Sequence, residues 1–363
     1  MSDKTTTNRE ALVKIAQLVR PALASQAYIP ALTHIKFDGK TATAFNDVAA
    51  ISVRAPIDVQ RCVPGDLLIR ALGSFGGESI AFQEGKDSTI VLSSGRSKVK
   101  LPTLPVKDFP FTMTDDEDDE GIPLSAAMLK GIERCLLSVG NDPTHPAQMG
   151  VTLDIDAKGN AVLFSTDNFT ISRYQTKDQI KLPGDSPVIL PTFFCEQAVG
   201  LSKTFKDNPG TLVLREDGLL ISFGDAGQLF TKTLVDLEPL DFPRIVDKHC
   251  KVSGLKDQLE PIPDGFDGAL GRALLVLSGE VDKVTKITMS DAGMKLSSTS
   301  AMGDSDDSMA FEGQDAPNEP FYVDPGMLAR AARVCASMAL LPKVVVLTDA
   351  DAQFVHLVAH CSR

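Results

Sequence analysis

The sequence lacks several features that would assign it to a secreted, membrane-spanning or disulfide-bonded class. Its six cysteines are scattered singly with no Cys-x-x-Cys pair, which in a chain of 363 residues indicates reduced thiols rather than a disulfide framework. No apolar run approaches the length of a bilayer-spanning helix, and the N-terminus lacks the apolar core of a signal peptide. We therefore expect a cytoplasmic protein without a membrane partner.

Sequence signatures of catalysis and of metal or cofactor binding are also missing. There is no Gly-rich phosphate loop, Gly-x-Ser-x-Gly elbow, His-Glu-x-x-His pair or metal-spaced cysteine cluster. His356, His360 and Cys361 fall in a β-like run, so we interpret them as ordinary strand residues. Residues 303–308 resemble a fragment of a calcium loop but lack its later Gly and Glu, which favours a solvated turn. We predict no catalytic residue, no metal site, no cofactor and no enzymatic activity.

What the sequence does contain is one phrase repeated three times. Each copy has a β-like run with a hydrophilic turn, a proline-led amphipathic helix and a second pair of β-like runs. The leading prolines, Pro64, Pro191 and Pro325, are 127 and 134 positions apart. Phe109-Pro110 is echoed 133 positions later by Phe242-Pro243. A period this long indicates a repeated domain rather than a solenoid unit.

We therefore predict three domains, over residues 1–121, 122–250 and 251–363. The acidic run at 114–121 separates the first two, because its carboxylates repel one another and cannot pack. Each domain is expected to be an antiparallel sheet with two helices, which makes the fold class α+β. The predicted helices cover 8–20, 125–139 and 264–277 as a first set, and 64–75, 191–206 and 325–339 as a second set.

The positive charge of the chain is concentrated on these helices, opposite their apolar faces. The net charge is −12, yet the predicted helices carry more basic than acidic residues, so the acidic excess lies elsewhere. On any single helix such residues are usually only solvated, but their recurrence in three repeats favours one mildly basic surface that binds a polyanion through phosphate contacts. With no Trp and only three Tyr, base stacking of single strands is disfavoured and duplex DNA is the better candidate. The residues predicted to face it are Arg9, Lys14, Arg20, Lys130, Arg134, Lys203, Lys206, Arg272, Arg330 and Arg333.

Four segments carry a resemblance to a known family. Residues 94–105 read SGRSKVKLPTLP and lead to Asp-Phe-Pro at 108–110; residues 163–167 read LFSTD; residues 232–236 read KTLVD; and residues 271–278 read GRALLVLS. In this order and spacing they resemble the bacterial β sliding clamp, the processivity subunit of the replicative DNA polymerase. The resemblance covers the whole chain and agrees with the triplication.

The resemblance implies a head-to-tail homodimer of three-domain chains, closed into a ring whose helices line the hole. It implies a DNA sliding clamp that encircles double-stranded DNA without reading its sequence, is loaded by a clamp loader, and tethers the replicative DNA polymerase. The implied dimer contacts are Phe109, Leu275 and Val276. The implied groove for a partner peptide lies in the middle domain and is formed by Thr166, Phe169, Ile171 and Pro243. A clamp-fold interaction module that no longer closes a ring remains the alternative.

Overall fold

The computed structural model describes residues 5–55, 57–85, 88–113, 121–183, 186–232, 237–250, 252–313 and 316–361. They form two compact units, the first drawn from 1–125 and 196–234 and the second from 126–195 and 235–363. The predicted middle domain is thus shared between the two units, and the boundaries of the three domains stay a prediction. The predicted acidic linker, apart from Gly121, lies outside the described residues.

Seven α-helices are found in the described residues. Five of the six predicted helices are confirmed to within a few residues at each end, and the sixth is only half as long as predicted. The helices are α1 (Arg9–Val19), α2 (Gly65–Ser74), α3 (Ala126–Cys135), α4 (Thr192–Thr204), α5 (Phe242–His249), α6 (Phe266–Val276) and α7 (Pro325–Ala332).

The strands alternate with these helices in short antiparallel hairpins. They are β1 (Thr5–Asn8), β2 (His34–Asp38), β3 (Thr41–Phe45), β4 (Ala49–Arg54), β5 (Gln60–Pro64), β6 (Ser79–Glu84), β7 (Thr89–Ser94), β8 (Ser97–Pro102), β9 (Gly121–Pro123), β10 (Gly150–Ile155), β11 (Asn160–Thr166), β12 (Thr170–Gln179), β13 (Val188–Pro191), β14 (Thr211–Leu214), β15 (Gly218–Ser222), β16 (Gly227–Lys232), β17 (Glu260–Pro261), β18 (Thr285–Ser290), β19 (Gly293–Ser300), β20 (Gly303–Met309), β21 (Phe321–Val323), β22 (Ser337–Leu340), β23 (Val344–Thr348) and β24 (Phe354–Ala359).

Each unit contains one eight-stranded and one four-stranded sheet. In the first unit the orders are β5-β2-β3-β4-β16-β15-β14-β9 and β1-β6-β7-β8. In the second unit they are β13-β10-β11-β12-β24-β23-β22-β17 and β20-β19-β18-β21. The long sheets are joined at their centres by strands distant in sequence, β4 with β16 and β12 with β24. These two pairings are why the middle domain does not separate from its neighbours.

The helices pack their apolar faces on the sheets, as their periodicity predicts. In α1, Leu12, Ala16 and Val19 are buried, and the helix lies on β3 and β4. Asn8 caps its start by accepting a hydrogen bond from the Ala11 N–H at 3.0 Å. Helix α3 lies so close to β11 and β12 that a Cβ added at Gly131 would lie 2.7 Å from a carbon of Tyr174. A larger residue at that position would push the helix off the sheet.

The predicted helix at 325–339 is wrong in its second half. The helix begins as expected, with Asp324 accepting a hydrogen bond from the Gly326 N–H at 2.6 Å, but it ends at Ala332. Ser337–Leu340 is strand β22 instead, paired with β23. Met338 and Leu340 are buried on one side of the sheet and Ala339 on the other. A short apolar run buried on both faces has no period that distinguishes a strand from a helix.

Two further expectations are corrected. Residues 303–308 are not a solvated turn, because Gly303–Met309 is an edge strand paired with β19 along its length. Helix α5 was missed, although Asp241 accepts a hydrogen bond from the Arg244 N–H at 3.2 Å and Pro243 lies in the first turn. An Asp cap followed by an early Pro is a helix start signal, so the sequence does indicate this helix.

Candidate functional site

The basic residues predicted to face DNA lie on the solvent side of their helices or at helix ends. In the first unit Lys14, Arg20, Lys203 and Lys206 are exposed and Arg9 is half-buried. In the second unit Arg272, Arg330 and Arg333 are exposed and Lys130 and Arg134 are half-buried. Each unit therefore carries its own basic helix surface, with α1 packed beside α2 and α6 beside α7.

Several of these cations already have an acidic partner. Arg20 lies 3.2 Å from Asp66 and Arg333 lies 3.6 Å from Asp267, in exposed pairs of little energetic weight. Arg272 makes a tighter contact, in which its Nε and Nη2 donate to both carboxylate oxygens of Asp307 at distances from 2.6 to 3.1 Å. These hydrogen bonds raise the pKa of Arg272 above its ordinary value. Phosphate contact by Arg272 would therefore have to compete with Asp307.

Lys130 is engaged differently from the exposed pairs. Its Nζ lies 3.4 Å from an oxygen of Asp349, whose side chain is only 8% exposed, and 5.8 Å from the centre of the Tyr174 ring. Asp349 also accepts a hydrogen bond from the Phe354 N–H at 3.0 Å. Removing Lys130 would leave the buried Asp349 carboxylate with less compensating charge. Lys130 therefore has a structural role in addition to its predicted role in contacting DNA.

The turn between β11 and β12 holds three of the four predicted groove residues. Asp167 Oδ1 accepts hydrogen bonds from the N–H groups of Phe169 at 3.0 Å and Thr170 at 2.6 Å. Asn168 has a positive φ of 72°, which Asn tolerates better than most residues. This geometry leaves Phe169 at the tip with 63% of its surface exposed. Thr166 is only 5% exposed and donates to the Thr170 carbonyl at 2.8 Å, so it shapes the turn.

The fourth predicted groove residue, Pro243, lines a cavity of about 340 Å³ between α5 and the strands β10, β11 and β12. Its apolar floor includes Val162, Phe164 and Val246, and Phe164 stacks on Phe242 with ring centroids 5.2 Å apart. Among the described residues Thr166, Phe169 and Ile171 do not line it. The four predicted groove residues therefore lie at two places: Phe169 is exposed at the turn, and Pro243 lines the cavity beside α5.

Arg173 lies at the rim of this cavity and also lines a second one of about 300 Å³, which Leu255, Leu259 and Val355 help to form. It donates a hydrogen bond to Gln175, which in turn donates one to Asp156. Burial lowers the pKa of Arg173 from its ordinary value, while the hydrogen bond from the Asn160 side chain helps to lower that of Asp156. Two apolar cavities with a charged rim between them suit an extended peptide.

The residues predicted to form the dimer contact are placed very differently. Leu275 on α6 is 73% exposed and Val276 is half-buried. A hydrogen bond of 2.7 Å from Ser300 Oγ to the Val276 carbonyl holds the turn between β19 and β20 at the end of α6. Phe109 is only 7% exposed, because it belongs to the apolar cluster of the first unit. Of the three residues, Leu275 offers the most apolar surface.

One edge strand of each four-stranded sheet is strongly charged, and the two strands, β8 and β20, have opposite charge. Strand β8 is the edge of the sheet in the first unit, where Lys98 and Lys100 are exposed and Arg96 is exposed just before the strand. Strand β20 is the edge of the sheet in the second unit, and it carries exposed Asp304 and Asp306. An unpaired strand edge presents free backbone hydrogen-bonding groups. These edges are therefore complementary in both charge and hydrogen bonding.

Two histidines of the second unit, His356 and His360, pack against side chains of their own unit. His356 is 1% exposed, its Nδ1 lies 2.9 Å from Ser172 Oγ, and burial lowers its pKa to about 3. His360 stacks on Phe321 with centroids 4.1 Å apart, and burial lowers its pKa to about 4. No group of three potential metal ligands occurs among the described residues. Within those same residues no helix is long and apolar enough to cross a membrane.

Comparison with known proteins gives a partial sequence match. No family model matches the chain. Over 215 residues it is 25% identical to the β sliding clamp of Vibrio cholerae, a match that covers 57% of this chain and 54% of that protein. The chain therefore spans about half the length of this curated relative.

Solved structures match over nearly the whole chain. The β subunit of DNA polymerase III from Pseudomonas aeruginosa has a TM-score of 0.80 at 17% identity, covering 99% of this chain and 100% of that one. The DNA polymerase β subunit of Streptococcus pyogenes gives 0.81 at 17% identity over 99% and 100% of the two chains, and that of Thermotoga maritima gives 0.80 at 16% over 99% of each. The chain therefore has the fold of the bacterial DNA polymerase III β subunits, and over part of its length it is similar in sequence to a β sliding clamp.

Proposed function

We propose that the protein is a non-enzymatic DNA sliding clamp of the cytoplasm, in which two copies close head to tail around duplex DNA. The observation that carries the proposal is the fold match, which accounts for at least 99% of the chain at TM-scores of 0.80 and 0.81. A chain that had kept only one clamp-like domain would not align from end to end. The basic helix surfaces and the complementary strand edges support the same function independently.

The proposed DNA contact is electrostatic. Exposed Lys14 and Lys206 in one unit, and Arg330 in the other, can reach phosphates without contacting base edges. In the ring the helices line the hole, and DNA is retained because the ring is closed rather than because binding is tight. Weak phosphate contacts then permit sliding, and the overall charge of −12 disfavours DNA on other surfaces.

Ring closure is proposed to pair β8 of one copy with β20 of the other. Backbone hydrogen bonds between the two free edges would extend both sheets across the contact. Lys98 and Lys100 would then face Asp304 and Asp306, and opposite charges on paired strands are favourable. Leu275 would be covered at the same contact. Each copy has one β8 edge and one β20 edge. Two copies related by a twofold axis therefore form two identical contacts, in which all four edges are paired.

The partner surface is proposed to take a short peptide from the replicative DNA polymerase and from the clamp loader. Phe169 is an exposed aromatic anchor beside a turn, and aromatic residues dominate the energetics of peptide contacts. The cavity next to Pro243 and the cavity next to Leu255 can receive apolar side chains on either side of Arg173. Which of these surfaces a peptide occupies is tested by replacing Phe169 with Ala and measuring binding of the polymerase's C-terminal peptide.

One observation favours the alternative, an interaction module that does not close a ring. Phe109 is buried in its own chain and so contributes little surface to a contact with a second copy. Ring closure then depends on the strand edges and on Leu275. A chain that stays monomeric would support the alternative.

Retention on circular DNA tests the proposed function. We expect the protein, placed on nicked circular DNA by the loader of its own source, to remain bound until the circle is cut and then to slide off. Replacing Lys14, Lys206 and Arg330 together with Glu should shorten retention severalfold and reduce its salt dependence, because fewer phosphate contacts remain to release counterions. The matched control replaces the exposed lysines Lys40, Lys158 and Lys181 on or between strands with Glu; it gives the same change in net charge, and none of the three lines the proposed peptide cavities. Equal retention of both triple variants, or equal retention on circular and cut DNA, would contradict the proposal.

A further inference from the structure

The turn between β3 and β4 in the first unit corresponds to the turn between β11 and β12 in the second. Asn46 Oδ1 accepts hydrogen bonds from the N–H groups of Val48 at 3.1 Å and Ala49 at 2.8 Å, as Asp167 does in the other turn. Asp47 has a φ of 79°, close to the 72° of Asn168. Both turns lead into the strand that joins the two halves of an eight-stranded sheet.

Val48 at the tip of the first turn is 56% exposed, but the apolar surface beside this turn is covered by the chain itself. The Phe111 ring stacks on Phe45 with centroids 4.4 Å apart and lies 5.3 Å from Phe230. Met113 packs against the same cluster. With these contacts Phe45 is 3% and Phe230 is 5% exposed. We call residues 109–113 the strap, and the apolar surface of Phe45, Ala50 and Phe230 beneath it the hollow.

Side chains hold the strap in place. Phe109, Phe111 and Met113 occupy every second position, as in an extended segment that packs one face. In the described part of the chain the strap forms no strand pair. Lys36 Nζ donates a hydrogen bond to the Phe111 carbonyl at 3.5 Å and lies 5.2 Å from the centre of the Phe109 ring. An extended segment bound by alternate side chains is how a peptide ligand binds a groove.

The corresponding segment of the second unit does something else. After Phe242 and Pro243, which repeat Phe109 and Pro110, the chain enters α5. Arg244, the counterpart of Phe111, is exposed on that helix. The tips of both turns are exposed, Val48 to 56% and Phe169 to 63%. The difference lies beside the turn, where Phe111 stacks on Phe45 in the first unit and its counterpart in the second unit points into solvent from α5.

We propose that the hollow is a second peptide-binding site, filled in cis by the strap, and that its ligand is an extended partner segment with large apolar side chains at alternate positions, one of them aromatic. The strap itself has this pattern of side chains and occupies the hollow in the same way. A tethered segment acts at an effective concentration on the order of millimolar, so a partner peptide binds only in proportion to the fraction of chains with the strap released. The proposal follows from the contacts of the first unit and does not depend on DNA binding.

The test uses the full chain and a fluorescent peptide with the sequence of residues 107–113. Phe111→Ala removes the ring that covers the hollow. We expect this variant to bind one more peptide per chain than the wild type does. The affinity of the hollow for the peptide should be at least tenfold higher in the variant than in the wild type. Phe205→Ala is the matched control, because Phe205 is also half-buried and forms an aromatic pair in the same unit, 5.4 Å from Phe223. Lys36→Met, which loosens the strap and keeps its ring, should give an intermediate affinity.

Combination with Phe169→Ala separates the two turns. If the extra binding persists in the Phe111→Ala, Phe169→Ala double variant, the peptide occupies the hollow as proposed. If it disappears, the peptide binds the other turn and the proposal is wrong. Absence of any extra binding to the folded Phe111→Ala variant, shown folded by its thermal transition, would also overturn the proposal while leaving the DNA experiment unaffected.

Discussion

The turn before β4 and the turn before β12 share one backbone design and an exposed residue at the tip, Val48 or Phe169, but they differ in what covers the surface beside them. In both, an Asn or Asp side chain accepts two backbone hydrogen bonds and the next residue has a positive φ. In the first unit Phe111 closes the surface beside the turn, and in the second Phe169 stands 63% exposed. The two repeats thus share the conformation of the turn, while a few side chains decide what covers the adjoining surface.

The junctions between the sheet halves differ in the same way. Where β4 meets β16, Ile51 is opposite Leu229, and both are fully buried. Where β12 meets β24, Ser172 is opposite His356, and Ser138 Oγ lies 2.9 Å from Ser172 Oγ. The same pair of positions is thus apolar in one unit and a buried polar cluster in the other. Of the two junctions, only the second should therefore make stability respond to pH.

The largest expected effect separates the two turns by stability. Phe45→Ala removes a buried ring that stacks on Phe111, and we expect it to lower the free energy of unfolding by about 3–5 kcal/mol. Phe169→Ala removes an exposed ring and should change that free energy by less than about 0.5 kcal/mol. Urea unfolding followed by circular dichroism measures both. Similar losses for the two variants would show that the first turn is not closed by its own chain.

A second prediction concerns the edges of the two four-stranded sheets. In the proposed contact, replacing Lys98 and Lys100 with Glu would place like charges opposite Asp304 and Asp306, and we expect the dimer dissociation constant to rise roughly 10- to 100-fold. Sedimentation equilibrium at low and high salt measures the change. The same two charge reversals at Lys158 and Lys177 are the control.

A rescue variant makes this prediction specific. Adding Asp304→Lys to the Lys98 and Lys100 variant restores one opposite-charge pair, so part of the lost affinity should return. If dissociation is unchanged by the reversals, or the control weakens the dimer equally, the strand edges do not form the contact.

The third and smallest effect is pH-dependent and belongs to the second unit. Burial lowers the pKa of His356 from 6.5 to about 3, so the unfolded chain binds a proton at pH values where the folded chain does not. This contribution to stability is complete above pH 6.5 and is lost progressively as the pH falls toward 3. By pH 5.5 the loss amounts to about 1.4 kcal/mol.

Changing the second junction to match the first removes this effect. We expect the variant with Ser172→Ile and His356→Leu to lose that part of the pH dependence when unfolding is measured between pH 7 and 5.5. An unchanged slope would show that His356 is accessible to protons in the folded chain.

The sequence predicted the repeated architecture well, because amphipathic helices with leading prolines and turns with Gly or Asp are local signals. It failed where burial on both faces removed the period, as in Ser337–Leu340, and where side-chain contacts are distant in sequence. Nothing in the sequence indicates that Phe111 reaches Phe45 and Phe230, or that Arg272 pairs with Asp307. The cavity beside Pro243 is likewise formed by α5 and three strands that meet only in the fold.

Whether two copies of this chain close one ring, as proposed, is tested most directly by the molar mass in solution. Size exclusion with light scattering on the full chain at micromolar concentration should give about twice the 38.8 kDa of one chain. The mass should fall toward one chain for the Lys98 and Lys100 variant and stay unchanged for the Lys158 and Lys177 control. A wild-type mass of about 38.8 kDa under these conditions would contradict the ring and favour the monomeric interaction module.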